Sequence, residues 1–144
     1  MKIKYVLVLL IFSLFCSNTF SQQQVTWKEL STAYRKEIFN EKGDDKNTAS
    51  LKDIEGKKIT VRGYFLDLGA DSMWYMLSRF PFENCFFCTG VGPETVIELG
   101  DFKNNKSKFK TDDIVIVTGT LYLMEVEGEF IYILNNCTVK PFES

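Results

Sequence analysis

The sequence predicts a mainly β protein in which one amphipathic helix precedes a five-stranded barrel. Two observations favour this class. Apolar residues recur at every second position over most of the chain after residue 58, and only one stretch, near residue 30, has helical spacing. With 144 residues, including 13 Phe and 6 Tyr, the chain can bury one core without a metal ion or a disulfide to hold it together.

Residues 1–21 have the features of a cleavable signal peptide. Lys2 and Lys4 form a positively charged N-terminal region, which is followed by an apolar run that ends at Phe15. Ser21 is the last residue of a cleavage site with small residues at its determining positions. The apolar run is shorter than the roughly 20 residues that span a bilayer, so we expect no membrane span after cleavage. The sequence therefore predicts a secreted or periplasmic protein that begins at Gln22.

The charge of the chain limits its partners. Loss of residues 1–21 removes two lysines and no acid, which changes the formal net charge from −2 to −4. A negatively charged protein is a poor partner for a polyanion, so we expect no nucleic-acid partner. The expected partner is a small molecule, a metal ion, or an exported or membrane protein.

Residues 27–39 are predicted to form the helix. Thr26 and Glu29 have the spacing of a capping box, and apolar residues follow at helical intervals (Trp27, Leu30, Tyr34 and Ile38). Beyond the helix the sequence turns polar and loses its periodicity. We therefore assign residues 22–50 to the helix and a polar linker, and residues 51–144 to a β domain.

Five strands are predicted from residue 51 onward, where the period of the apolar residues changes to two. They span residues 59–65, 73–77, 95–99, 114–124 and 130–139, and Glu127 and Gly128 form the turn of a hairpin between the last two. Gly63 and Gly119 lie inside the long first and fourth strands, at points where a strand can bend. The pattern matches the Greek-key barrel called the OB-fold.

Cys85 and Cys88 are the main candidates for chemistry. Two thiols three positions apart can bind one metal ion, such as zinc or copper, or close a small disulfide. Cys137 is in phase with the apolar residues of the fifth strand, which favours a buried core position. If it lies beside the other two thiols, it forms a three-thiolate site with Glu83 or Glu94 as a fourth ligand. Metal ligation, a disulfide and reduced thiols all remain open alternatives.

A periplasmic thiol–disulfide redox protein is the alternative function for the same two thiols. The reactive thiol of a thioredoxin-like site opens a helix, whereas Cys88 is followed by a Gly-rich segment and a predicted strand. The chain has no His for a catalytic triad, and its sequence contains no phosphate-binding loop. The sequence therefore favours a binding or accessory protein over an enzyme, and no catalytic residue is assigned.

Aromatic residues are concentrated on the second predicted strand and just after it. Trp74, Tyr75, Phe86 and Phe87 are candidates for a ligand face, because this strand of an OB-fold borders the surface on which ligands stack. Ordinary packing in the core and loops is the alternative. The ligand itself is not predicted by these residues.

Four segments resemble exported proteins of the DUF3299 family, and in particular its Bacteroidetes-type branch. They are KKITVRGY at residues 57–64, YMLS at 75–78, CFFCTGVGPE at 85–94 and DDIVIVTG at 112–119. The resemblance covers about residues 50–140. It implies an OB-fold and an accessory or metal-handling role rather than a known reaction.

Overall fold

The computed structural model describes residues 23–39, 49–69, 74–84, 90–104 and 108–143. Two 3₁₀ turns, Phe82–Asn84 and Pro93–Thr95, lie between the third and fourth strands. Within the described residues, no helix is long and apolar enough to cross a membrane. The strands and helices, in chain order, are β1 (Gln23–Gln24), α1 (Trp27–Phe39), α2 (Leu51–Ile54), β2 (Lys58–Asp67), β3 (Tyr75–Ser78), β4 (Val96–Leu99), β5 (Ile114–Val126) and β6 (Glu129–Pro141).

Strands β2 to β6 form a closed five-stranded barrel, so the predicted fold class is confirmed. Around the barrel the order is β2, β3, β4, β6 and β5, and pairing between β5 and β2 closes it. Neighbouring strands are antiparallel except for β4 and β6, which run parallel. The last strand thus inserts between the third and fourth barrel strands, as it does in the OB-fold.

Strand β2 bends so that it pairs with two different strands of the barrel. Its residues from Lys58 to Tyr64 pair with β5, and those from Tyr64 to Asp67 pair with β3. Gly63 lies where the partner changes. A Cβ atom at this position would be 2.6 Å from the carbonyl oxygen of Ser78, so only glycine lets β3 approach this closely.

One core fills the barrel and extends to helix α1. Leu30 and Tyr34 of the helix are buried together with Phe65 and Tyr132 of the barrel. The Tyr132 hydroxyl donates a hydrogen bond to the Leu30 carbonyl oxygen at 2.9 Å. Burial raises the pKa of Tyr132 far above its usual value, so this donor keeps its proton. The helix is therefore fixed to the barrel by apolar packing and one buried hydrogen bond.

Helix α1 has the predicted bounds and the predicted capping box. The Thr26 backbone N–H donates to Glu29 Oε2 at 2.6 Å, and the Glu29 N–H donates to Thr26 Oγ1 at 3.3 Å. Leu30, Ala33 and Tyr34 form its buried face. The indole N–H of Trp27 donates to the carbonyl oxygen of Arg62 at 2.7 Å, which ties the start of the helix to β2.

The sequence prediction was wrong about residues 51–54, which were expected to continue the period of two. They form the short helix α2 because Ser50 and Asp53 make a capping box of their own. Leu51 and Ile54 of this turn are buried in the core. A stretch of four residues is too short for helical spacing to be distinguished from alternation in the sequence.

Each predicted strand also differs from the observed one at one or both ends, by one or two residues. Thr95 lies in a 3₁₀ turn that begins with Pro93, so β4 starts at Val96. The predicted start of the second strand, Met73, lies outside the described residues, and Trp74 precedes β3. Strand β1 was not predicted, since two residues carry no periodicity.

We predict that Gly63→Ala destabilises the protein by about 1–3 kcal/mol, because the new methyl group would overlap the Ser78 carbonyl and force the strands apart. Urea unfolding followed by circular dichroism measures the change. Lys58→Ala is the matched control, since Lys58 is exposed on the same strand. An unfolding midpoint for Gly63→Ala equal to that of the wild type would contradict the role given to Gly63.

Candidate functional site

Four of the predicted site residues lie outside the described residues. They are Cys85 and Cys88 with Phe86 and Phe87 between them. Metal binding, disulfide formation and ligand contact by these residues therefore stay predictions.

The candidate fourth ligands lie on either side of this segment. Glu83 is in the exposed turn Phe82–Asn84, and Glu94 is in the partly buried turn Pro93–Thr95. Across the part of the chain that the structure describes, no group of three or more His, Cys, Asp or Glu residues could hold a metal ion.

Cys137 lies in a bulge of β6, opposite Gly119. The pairing of β6 with β5 shifts by one residue here, and Asn136 has a left-handed φ of 55°. The Asp101 carboxylate accepts hydrogen bonds from the backbone N–H groups of Asn136, at 2.6 Å, and Cys137, at 3.3 Å. The Asp101 carboxylate therefore accepts hydrogen bonds from two backbone N–H groups that the bulge excludes from the pairing between β5 and β6.

The thiol of Cys137 is free, partly buried and aimed at the backbone. It donates to the Leu134 carbonyl oxygen at 2.9 Å. Burial, together with the nearby Asp101 carboxylate, raises the pKa of Cys137 to about 12. Metal ligation and thiol exchange both require the thiolate, which is scarce at neutral pH for such a thiol. The described geometry therefore supports a packing role for Cys137.

The two described aromatic candidates differ in their surroundings. Tyr75 packs against the core, where its ring stacks on Phe65 with centroids 5.6 Å apart and meets Phe102 edge-on at 5.7 Å. Trp74 is 42% exposed and lines a groove on the outside of the barrel. Of the two, Trp74 is the more exposed, since Tyr75 is partly buried.

The outer groove, as we call it, is a cavity of about 430 Å³ on the outside of β3, β4 and the β5–β6 hairpin. The groove exists because successive side chains of β3 and β4 point alternately into and out of the barrel. Leu77 and Ile97 point into the barrel, so Met76, Val96 and Glu98 point out. The complete lining is Trp74, Met76, Pro93, Val96, Glu98, Val126, Glu127, Glu129 and Ile131.

A second, small apolar cluster lies beneath the outer groove. Leu66, Met76 and Val96 are buried on the outer side of the barrel, and Leu66 pairs with Met76 across β2 and β3. These side chains sit on hydrogen-bonded strands rather than on loops. The floor of the groove is therefore held in place by the barrel itself.

The β5–β6 turn brings carboxylates to the groove. Glu127 and Gly128 have φ values of 52° and 85°, which is typical of a type I′ hairpin turn and confirms the predicted hairpin. Glu127 and Glu129 line the groove from this turn, and Glu98 lines it from β4. The groove thus combines apolar walls with three carboxylates.

The outer groove lies where OB-folds bind ligands. That surface is formed by the second and third barrel strands, here β3 and β4, with the loops that precede the second strand and join the last two. Trp74 comes from the first of these loops and Glu127 from the second. Sequence reasoning found Trp74 but missed the groove residues of β4 and the hairpin. The alternation in β4 would have indicated Val96 and Glu98.

Comparison with known proteins adds no family to this description. No protein-family model matches the chain, and a search of curated proteins found no match. The class of protein is therefore defined by the fold and the site. It is an OB-fold barrel with an apolar groove that carries carboxylates.

Proposed function

We propose that this chain is an exported OB-fold binding module that holds a small-molecule ligand in the outer groove. The observation that carries the proposal is the position of the groove on the ligand face of the fold. Its volume of about 430 Å³ lies within the range of small-molecule pockets. The signal-peptide features of residues 1–21 support export to the periplasm or the medium.

Exposed apolar side chains support binding at this place. Trp74 and Val126 are each 42% exposed, although they flank a cavity whose floor is apolar and buried. A ligand that covers these side chains removes apolar surface from water. Each Å² removed contributes about 25 cal/mol of binding free energy. Ile131 and Met76 add apolar contact deeper in the groove. The arrangement favours a ligand with an apolar body.

We predict that Trp74→Ala and Val126→Asn each weaken binding of the neutral apolar dye Nile red by about tenfold, because each removes apolar contact from the groove wall. Dye fluorescence during titration measures the affinity. Tyr122→Ala is the matched control, since Tyr122 is 43% exposed on the same hairpin and does not line the groove. Equal losses in Tyr122→Ala and Trp74→Ala, or no loss in Trp74→Ala, would count against the proposal.

Metal handling by Cys85 and Cys88 is a second proposed function. The segment that carries these thiols leads to Pro93, which lines the outer groove. The raised pKa of Cys137, about 12, supports a site built from the pair without Cys137. A thiol–disulfide redox protein that uses the same pair is the alternative.

We expect native mass spectrometry of the exported protein to detect bound zinc or copper that is lost in Cys85→Ser and kept in Cys137→Ser. The first change removes a proposed ligand, whereas the second removes a thiol that is protonated at neutral pH. Loss of the metal in both variants would contradict the two-thiol site. A metal-free wild type with a disulfide between Cys85 and Cys88, together with reduction of a test disulfide, would favour the redox alternative.

A further inference from the structure

We infer that the ligand of the outer groove is a small organic cation, with an ammonium group on an apolar body. The inference rests on the proposed function, because it names the ligand of the same groove. Its basis is the combination of a Trp side chain, apolar walls and three carboxylates around one cavity.

Among the described residues, no cation pairs with the carboxylates of the groove. Within the described ranges, neither Glu98, Glu127 nor Glu129 has a Lys or Arg nitrogen within 4.0 Å. None of the described lining residues is basic. The two undescribed segments that adjoin the lining in sequence, residues 70–73 and 85–89, contain no Lys or Arg. The groove therefore has a negative potential that attracts a positive ligand.

Glu98 is the carboxylate closest to the apolar floor. It is partly buried in the middle of β4, and its strand neighbour Val96 and its cross-strand partner Met76 are both buried. A charge in such surroundings is less well hydrated than an exposed one, so it interacts more strongly with an opposite charge. Glu127 and Glu129 are exposed at the turn, where solvent screens them.

The rest of the lining favours an organic cation over a metal ion. Trp74 lines the groove with an indole ring, and the attraction of an ammonium group to an aromatic ring is strongest for Trp. Met76, Val96 and Ile131 offer apolar contact, which a hydrated metal ion cannot use and an alkyl chain can. An anionic ligand would meet three like charges, and a neutral one would leave the carboxylates without a partner.

Another face of the barrel carries the opposite charge. Lys58, Arg62 and Lys140 line two shallow cavities on the outer face of β2, β5 and β6, and no described residue lining them is acidic. Arg62 lies over the ring of Phe142, with its guanidinium carbon 3.7 Å from the centroid. An anion is therefore drawn to this basic face and away from the groove, which gives the inference an internal control.

The test compares three eight-carbon probes that differ in charge: octylammonium, octanol and octanoate. We expect calorimetry on the full chain to give an affinity for octylammonium about tenfold higher than for octanol. Fluorescence of Trp74, recorded in a Trp27→Phe variant, should respond to octylammonium and not to octanoate. Octanoate should leave Trp74 fluorescence constant, and its heat of binding should be lost in Lys140→Ala. Both results would support binding of cations at the outer groove and of anions at the basic face.

Variants in which one glutamate is replaced by glutamine show which carboxylate binds the ammonium group. We expect Glu98→Gln to weaken octylammonium binding about fivefold to tenfold and to leave octanol binding unchanged, because only the charged probe uses the carboxylate. Glu127→Gln and Glu129→Gln should each have a smaller effect, about twofold, since both residues are exposed. Glu125→Gln is the matched control, since Glu125 is an exposed acid of the same hairpin outside the groove lining.

The outcomes separate this inference from the proposed function. Equal affinity for octanol and octylammonium, with Trp74→Ala weakening both, would overturn the cationic ligand and leave the groove as a binding site. Octylammonium binding that is unchanged in Glu98→Gln, Glu127→Gln and Glu129→Gln combined would also overturn it. No binding of any probe, with Nile red also unbound, would overturn both.

Discussion

The close approach of β3 to β2 at Gly63 is the contact on which the rest of the structure depends. It lets β2 bend and exchange partners, so that the five strands close on themselves and leave no long exposed edge between them. The same strand pair decides which side chains face out. Phe65 packs inside the barrel, and its neighbour Leu66 lies on the outer side, beside its cross-strand partner Met76 of β3. A shift of this register by one residue would exchange the core and the floor of the groove.

The closed barrel distributes charge unevenly over its surface. The formal net charge of the chain is only −2, yet the outer groove carries three carboxylates and the face formed by β2, β5 and β6 carries three cationic side chains. Residues far apart in the chain meet in each group, as Glu98 and Glu127 do at the groove. Net charge therefore excluded a polyanion as the favoured partner, but it said nothing about this division. The local field, rather than the total charge, is what a small ligand meets.

Sequence reasoning recovered the elements whose signals are local. The capping box of Thr26 and Glu29 marked the start of α1, and the alternation after residue 58 marked the long strands. It missed two local signals, the capping box of α2 and the outward-facing residues of β4, and it also missed features that depend on contacts between distant residues. The parallel pairing of β4 with β6, which brings Glu98 beside Ile133, has no signature in either strand. Tyr132 and Leu134 face the core, so strict alternation in phase with Ile131 would place Cys137 on the outer face. The bulge at Asn136, stabilised by Asp101 35 positions away, shifts the phase and brings Cys137 to the core side.

The central claim is that a small organic cation binds on the outer groove, and amide chemical shifts in the ¹⁵N-labelled protein test it most directly. On titration with octylammonium, we predict the largest changes at residues 74–76, 94–98 and 126–131, because these segments contain the lining residues of the cavity that carry an amide N–H. Residues of the basic face, such as Lys58 and Lys140, should not shift. Changes centred on the basic face, or spread evenly over the barrel, would contradict the claim.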